Sequence, residues 1–135
     1  FGATDVVPER DEAGIARIRE LTDGWGAESV LECVGTDSSL AQAIGSTAPG
    51  GTVGWVGVPH QATSHLADQF RHDIAMRGGM APTRIYAEDL VHRVLAREIE
   101  PGLVLDRVVG LSEVAEGYDL MDRRRAIKVM VDPTR

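Results

Sequence analysis

The sequence predicts an α/β fold built on a parallel sheet, and three observations point there. Short apolar runs, chiefly Ser29–Val34 and Thr52–Val58, lack the strict polar alternation of a half-exposed strand and suit strands buried on both faces. Stretches with helical apolar spacing separate them. Gly and Pro clusters close each segment, and strands recur about every 20 residues, as short-looped strand–helix–strand units require. Right-handed crossovers then place helices on both faces of the sheet.

Taken in order, Asp5-Val6-Val7 reads as a short strand. Asp11–Thr22 carries Ile15, Ile18 and Leu21 at helical spacing, with Gly24 and Gly26 as its stop. Ser29–Val34 is a strand closed by Gly35. Asp37 or Ser38 caps the next helix, whose apolar positions are Leu40, Ala43 and Ile44. Pro49-Gly50-Gly51 stops that helix, and Thr52–Val58 is a second buried strand ended by Pro59. Ala67–Phe70 suits a helical turn, and Ile74–Met80 is a third apolar run. A long helix follows with Leu90, Val91, Val94, Leu95 and Ile99 on one face, ended by Pro101-Gly102. Asp106–Val109 is a strand. Ser112 caps a further helix with Val114, Ala115, Tyr118 and Met121 as its apolar face, and Ala126–Val131 is the last strand.

Fourteen Lys plus Arg against 21 Asp plus Glu give a formal net charge of −7. That balance argues against a nucleic-acid partner, which needs clustered cations. Hydrophobic residues at 43% and charged ones at 26% argue against disorder. No apolar run approaches the roughly 20 residues of a membrane helix. One cysteine, Cys33, forms neither an internal disulfide nor a cysteine zinc cluster, so a cytoplasmic setting is the default. The opening Phe1-Gly2-Ala3-Thr4-Asp5 reads as a piece cut from a longer protein, whereas Val129–Arg135 has the strand, proline stop and polar tail of a terminus.

Ligands of an open parallel sheet sit at the carboxyl ends of its strands. Here those ends are Cys33-Val34-Gly35-Thr36, Val56-Gly57-Val58-Pro59-His60 and Gly78-Gly79-Met80-Ala81-Pro82. Each is a small turn with a glycine that allows close backbone approach. Side by side they suit a flat dinucleotide; the alternative is that the glycines merely end strands.

These residues carry a family resemblance. Phe1–Val7, Gly26–Gly35, Pro49–Val53, Val56–Pro59, Val114–Tyr118 and Ala126–Val129 together resemble the medium-chain, zinc-dependent alcohol dehydrogenases, over nearly the whole chain. The resemblance implies a partial doubly wound (Rossmann) parallel sheet lacking its first two strands, over residues 1–81. Residues 82–135 would be a short segment returning to the substrate domain. It implies NAD or NADP as cofactor and an alcohol or aldehyde as small-molecule substrate. Cys33, Val34 and Gly35 would line the adenosine-ribose side of the cofactor. Val56, Gly57 and Val58 would lie along the nicotinamide and its carboxamide, and Gly79 and Ala81 would offer backbone groups to that carboxamide. Lys128 would stand near the pyrophosphate, with a solvated lysine as the alternative. The 74–80 strand edge would join two copies into a homo-oligomer, a dimer.

There is no G-x-G-x-x-G: Gly50, Gly51, Gly54 and Gly57 follow a helix instead of opening one. In the resembling family the catalytic zinc ligands and proton relay lie in an N-terminal domain, so this chain alone is expected to be inactive while its parent transfers hydride. Val6-Val7 would lack a neighbour, and the Ser29 strand would keep an open edge. His60, His65, His72 and His92 share no metal-ligand spacing, although His60 would approach the parent's cleft. Arg123-Arg124-Arg125 reads as a solvated helix end. Two other functions remain open at this point, a zinc-free quinone or enoyl reductase and a non-catalytic α/β interaction module.

Overall fold

The computed structural model describes residues 1–59 and 65–135. They divide into two compact units, Gly2–Pro82 and Thr83–Arg135, with Phe1 grouped with the latter. Each is described by itself.

In the first unit, α1 (Asp11–Leu21), β1 (Ala27–Glu32), α2 (Asp37–Ser46), β2 (Thr47–Trp55), α3 (Leu66–His72) and β3 (Ala75–Gly78) follow in sequence. The strands form one parallel sheet in the order β1-β2-β3. Val30, Val53 and Met76 pair across it and face a core completed by Leu40, Ala43, Ile44 and Ile74. Val53 is 0% exposed at its centre. The α1 and α2 helices are tied together by the Asp11 N–H donating to Gln42 Oε1 at 3.0 Å and by Arg19 donating to the Gly45 carbonyl.

Four expectations need correction here. Among the described residues the sheet is covered on one face: Ser29, Leu31, Thr52, Ala75 and Arg77, on the opposite face, are all exposed. Strands added in one direction by right-handed crossovers place every intervening helix on the same side. Asp5-Val6-Val7 forms no strand, and Val6 is 86% exposed. A strand needs a hydrogen-bonded neighbour, and no described strand lies beside it.

The helix before β2 ends at Ser46, not at Pro49-Gly50-Gly51. Those three residues lie in a bulge within β2. The pairing runs Ala27↔Thr47 and then Ser29↔Thr52, so the extra residues loop out between. Gly50 takes φ +77° there, a conformation that favours glycine. The α2 cap, finally, is Thr36 and not Asp37 or Ser38. Its hydroxyl accepts the Ser39 N–H at 3.1 Å, while Ser39 Oγ accepts the Thr36 N–H at 3.0 Å.

The second unit holds α4 (Thr83–Leu95), a 3-10 turn at Pro101–Val104, β4 (Leu105–Val109), a 3-10 turn at Leu111–Glu113, α5 (Val114–Asp122) and β5 (Lys128–Val131). β4 and β5 pair in parallel, and Gly117 of α5 packs on Val109 and Val129. The α4 helix stops at Leu95, ahead of Ile99 and Pro101, where Arg97 turns through φ +57°. Ser112 does not cap α5. The Glu113 carboxylate closes that turn instead by accepting the Gly110 N–H at 2.8 Å. Tyr118, expected on the apolar face, is exposed. Among the described residues no helix is long and apolar enough to cross a membrane.

Candidate functional site

Parallel pairing puts the carboxyl ends of β1, β2 and β3 on one edge of the sheet. The last partners across it are Glu32↔Trp55 and Trp55↔Gly78. The three glycine corners therefore leave the sheet side by side.

The first two corners interlock. Gly35 and Gly57 are both buried. A Cβ on Gly57 would lie 2.3 Å from the Gly35 nitrogen, and one on Gly35, at φ +91°, would lie 2.1 Å from the Val58 carbonyl oxygen. Only glycine fits at either place. Around these buried backbones Cys33, Val34, Val56 and Val58 are exposed. The third corner joins through β2, because the Gly79 N–H donates to the Trp55 carbonyl at 3.0 Å. Gly79 takes φ +138° with open space where a side chain would stand, and Ala81 is exposed two residues on. Eight of the nine site residues expected from sequence, Cys33, Val34, Gly35, Val56, Gly57, Val58, Gly79 and Ala81, thus lie on these three turns. Lys128 opens β5 in the other unit and is exposed. His60 lies outside the described residues.

The edge also holds a residue the sequence reading passed over. Glu32, the last residue of β1, is 4% exposed. Its Oε1 accepts three hydrogen bonds, from the Val34 N–H, the Gly35 N–H and Ser39 Oγ, each at 2.8 Å. Burial pushes its carboxyl up, but the bonds from Gly35, Ser39 and Val34 outweigh burial and hold it below the usual glutamate range. The signal was present: an acid inside an otherwise apolar run, Ser29-Val30-Leu31-Glu32-Cys33-Val34, needs buried donors.

The edge presents small apolar side chains around tightly turned backbone. At either interlocked glycine a Cβ would strike the neighbouring turn. Among the described residues no group of three His, Cys, Asp or Glu side chains could hold an ion. His65 Nε2 lies 3.2 Å from Asp37 Oδ1, a two-residue pair.

The sequence profile of a zinc-binding dehydrogenase family matches residues 1–96. A zinc-type alcohol dehydrogenase B of Aspergillus flavus is 29% identical over 125 residues, which cover 90% of this chain and 29% of that protein. A probable zinc-binding alcohol dehydrogenase of Mycobacterium tuberculosis is 32% identical, over 87% of this chain and 30% of its own length. Among solved structures, an alcohol dehydrogenase from Thermus sp. ATN1 superposes with a TM-score of 0.80 at 30% identity, over 87% of this chain and 36% of that one. The chain thus spans about a third of the length of the relatives it matches. Because the family profile covers residues 1–96, more than half of it, the chain belongs to the zinc-binding dehydrogenases.

Proposed function

We propose that this chain is the C-terminal part of an NAD(P)-dependent zinc alcohol dehydrogenase, one that transfers hydride between the nicotinamide and an alcohol or aldehyde. The juxtaposition of the Gly35, Gly57 and Gly79 corners on one sheet edge carries the reading. On it, Cys33, Val34 and Gly35 seat the adenosine ribose, and Val56, Gly57 and Val58 the nicotinamide. Gly79 and Ala81 offer backbone groups to the carboxamide. Zinc, held outside this segment in the intact protein, would supply a Lewis acid for the substrate oxygen. The chain's own residues orient the nucleotide.

The reading also makes the intact protein a cytoplasmic dimer. One edge of β3 is unpaired among the described strands, and a second copy would extend the sheet along it. Titration of NADH and NADPH by nucleotide fluorescence tests the proposal. The intact protein is expected to bind one of them at micromolar concentration, and the 135-residue chain by itself neither. An intact protein that binds neither nucleotide overturns the reading.

A further inference from the structure

The parallel ladder ends at the pair Glu32↔Trp55, and past it the two chain exits meet at the Gly35 and Gly57 corners, whose spacing needs to be held. Glu32 takes over that task from both sides. Its carbonyl accepts the Val56 N–H at 2.9 Å and the Gly57 N–H at 3.3 Å, which draws the exit of β2 toward β1. Its carboxylate accepts the Val34 and Gly35 N–H groups, which curls the exit of β1 back over the same spot. Ser39, fixed by the cap of α2, donates a third bond to the same oxygen. The other carboxylate oxygen lies 2.5 Å from where a Gly57 Cβ would stand. One buried side chain and its own backbone thus fasten two turns that share no ladder bond with each other.

We propose that Glu32 is a positioning residue for the nucleotide: it sets the spacing of the Gly35 and Gly57 corners on which the adenosine ribose and the nicotinamide rest. The inference rests on the dehydrogenase reading above. Glu32 is buried behind the corners, so it acts through them. Its ionised form suits the task. A carboxylate oxygen takes three donors with charge assistance, whereas a glutamine amide oxygen is neutral and holds such donors less strongly. Removal of the side chain leaves the Val34 and Gly35 N–H groups without their partner and frees the first corner to open.

The test uses the intact dehydrogenase that carries this segment, with Glu32→Ala and Glu32→Gln, read by steady-state kinetics and by thermal melting. Glu32→Ala is expected to raise the KM for nucleotide about tenfold while kcat at saturating nucleotide stays within about twofold, the signature of lost uniform binding. Glu32→Gln is expected to recover most of that, to within about threefold of wild type, because its amide oxygen still holds such donors, less strongly. A purely structural role would lower the melting temperature and leave the KM of the folded enzyme alone. A folded Glu32→Ala enzyme with a wild-type KM, or with kcat lost and KM unmoved, overturns the proposal. Should Glu32→Ala yield no folded protein, Ser39→Ala removes one donor from the same oxygen; a twofold to threefold rise in KM supports the proposal, and an unchanged KM overturns it. A wild-type enzyme that binds neither nucleotide overturns the dehydrogenase reading itself, an outcome distinct from bound nucleotide with unmoved variants.

Discussion

Gly35 and Val58 meet backbone to backbone, so that a Cβ on Gly35 would lie 2.1 Å from the Val58 carbonyl oxygen and 2.8 Å from its nitrogen. The contact cannot relax by a rotamer change, because both partners are main chain. Gly35→Ala adds a left-handed φ of +91°, which costs an L-residue about 1–2 kcal/mol before any clash. Gly57→Ala drives a methyl into the Gly35 nitrogen and the Glu32 carboxylate. Either substitution is expected to lower the melting temperature of the intact protein and to weaken nucleotide binding at least tenfold, as read by fluorescence titration. Gly50→Ala is the control: its Cβ meets nothing within 4 Å, so only the strain of φ +77° remains, and nucleotide affinity is expected to stay at the wild-type value.

Glu32 also sets an acid limb. Its folded carboxyl is held below the usual glutamate range by the bonds from Gly35, Ser39 and Val34, against the opposing effect of burial. A depressed folded value means stability that is present above the unfolded pKa, about 4.3, and lost as pH falls through the folded value. Urea midpoints measured from pH 6 down to pH 3 are expected to fall for wild type. For Glu32→Gln they start lower and fall less steeply, so the two curves converge at the acid end. Parallel curves would show that Glu32 contributes nothing to the slope.

Val53 is 0% exposed, at the centre of the helix-covered face of the sheet. Its truncation in Val53→Ala removes two methyl groups and leaves a cavity, at a cost of about 2 kcal/mol. Val6, 86% exposed and in no strand, is expected to cost less than about 0.5 kcal/mol in Val6→Ala. Urea titration of the 135-residue chain checks both.

The outer edge of β1 is unpaired among the described strands, and Leu31 on it is 79% exposed. Such an edge invites pairing between chains. Light scattering after size exclusion is expected to show the isolated 135-residue chain larger than a monomer at tens of micromolar, and Leu31→Lys is expected to shift it toward the monomer. A wild-type monomer that melts cooperatively would contradict this.

The elements that proved legible were those whose signal is local. The apolar run around Val30, the spacing of Leu40, Ala43 and Ile44, and the glycines of the three corners each announce a strand, a helix or a turn without reference to distant residues. What stayed hidden depends on partners. Val6-Val7 has the composition of a strand, but pairing is a property of neighbours. The Thr36-Asp37-Ser38-Ser39 stretch offers four capping residues, and only the reciprocal bonds between Thr36 and Ser39 select one. Glu32 was read as part of an apolar strand because the donors that satisfy it lie at the turn and in the next helix. The single covered face follows from strand order, which no run of residues encodes.

The bulge at Pro49-Gly50 lies at the amino end of the sheet, and strand pairing resumes at Ser29↔Thr52 before the chain reaches the corners. A residue gained or lost there changes the size of an outlying loop and leaves the alignment downstream intact. The sheet thus has an expansion joint at one end and a fixed seat at the other. A fluorophore or a short affinity peptide grafted at Gly50 would report on this protein without disturbing the place where the nucleotide is proposed to rest.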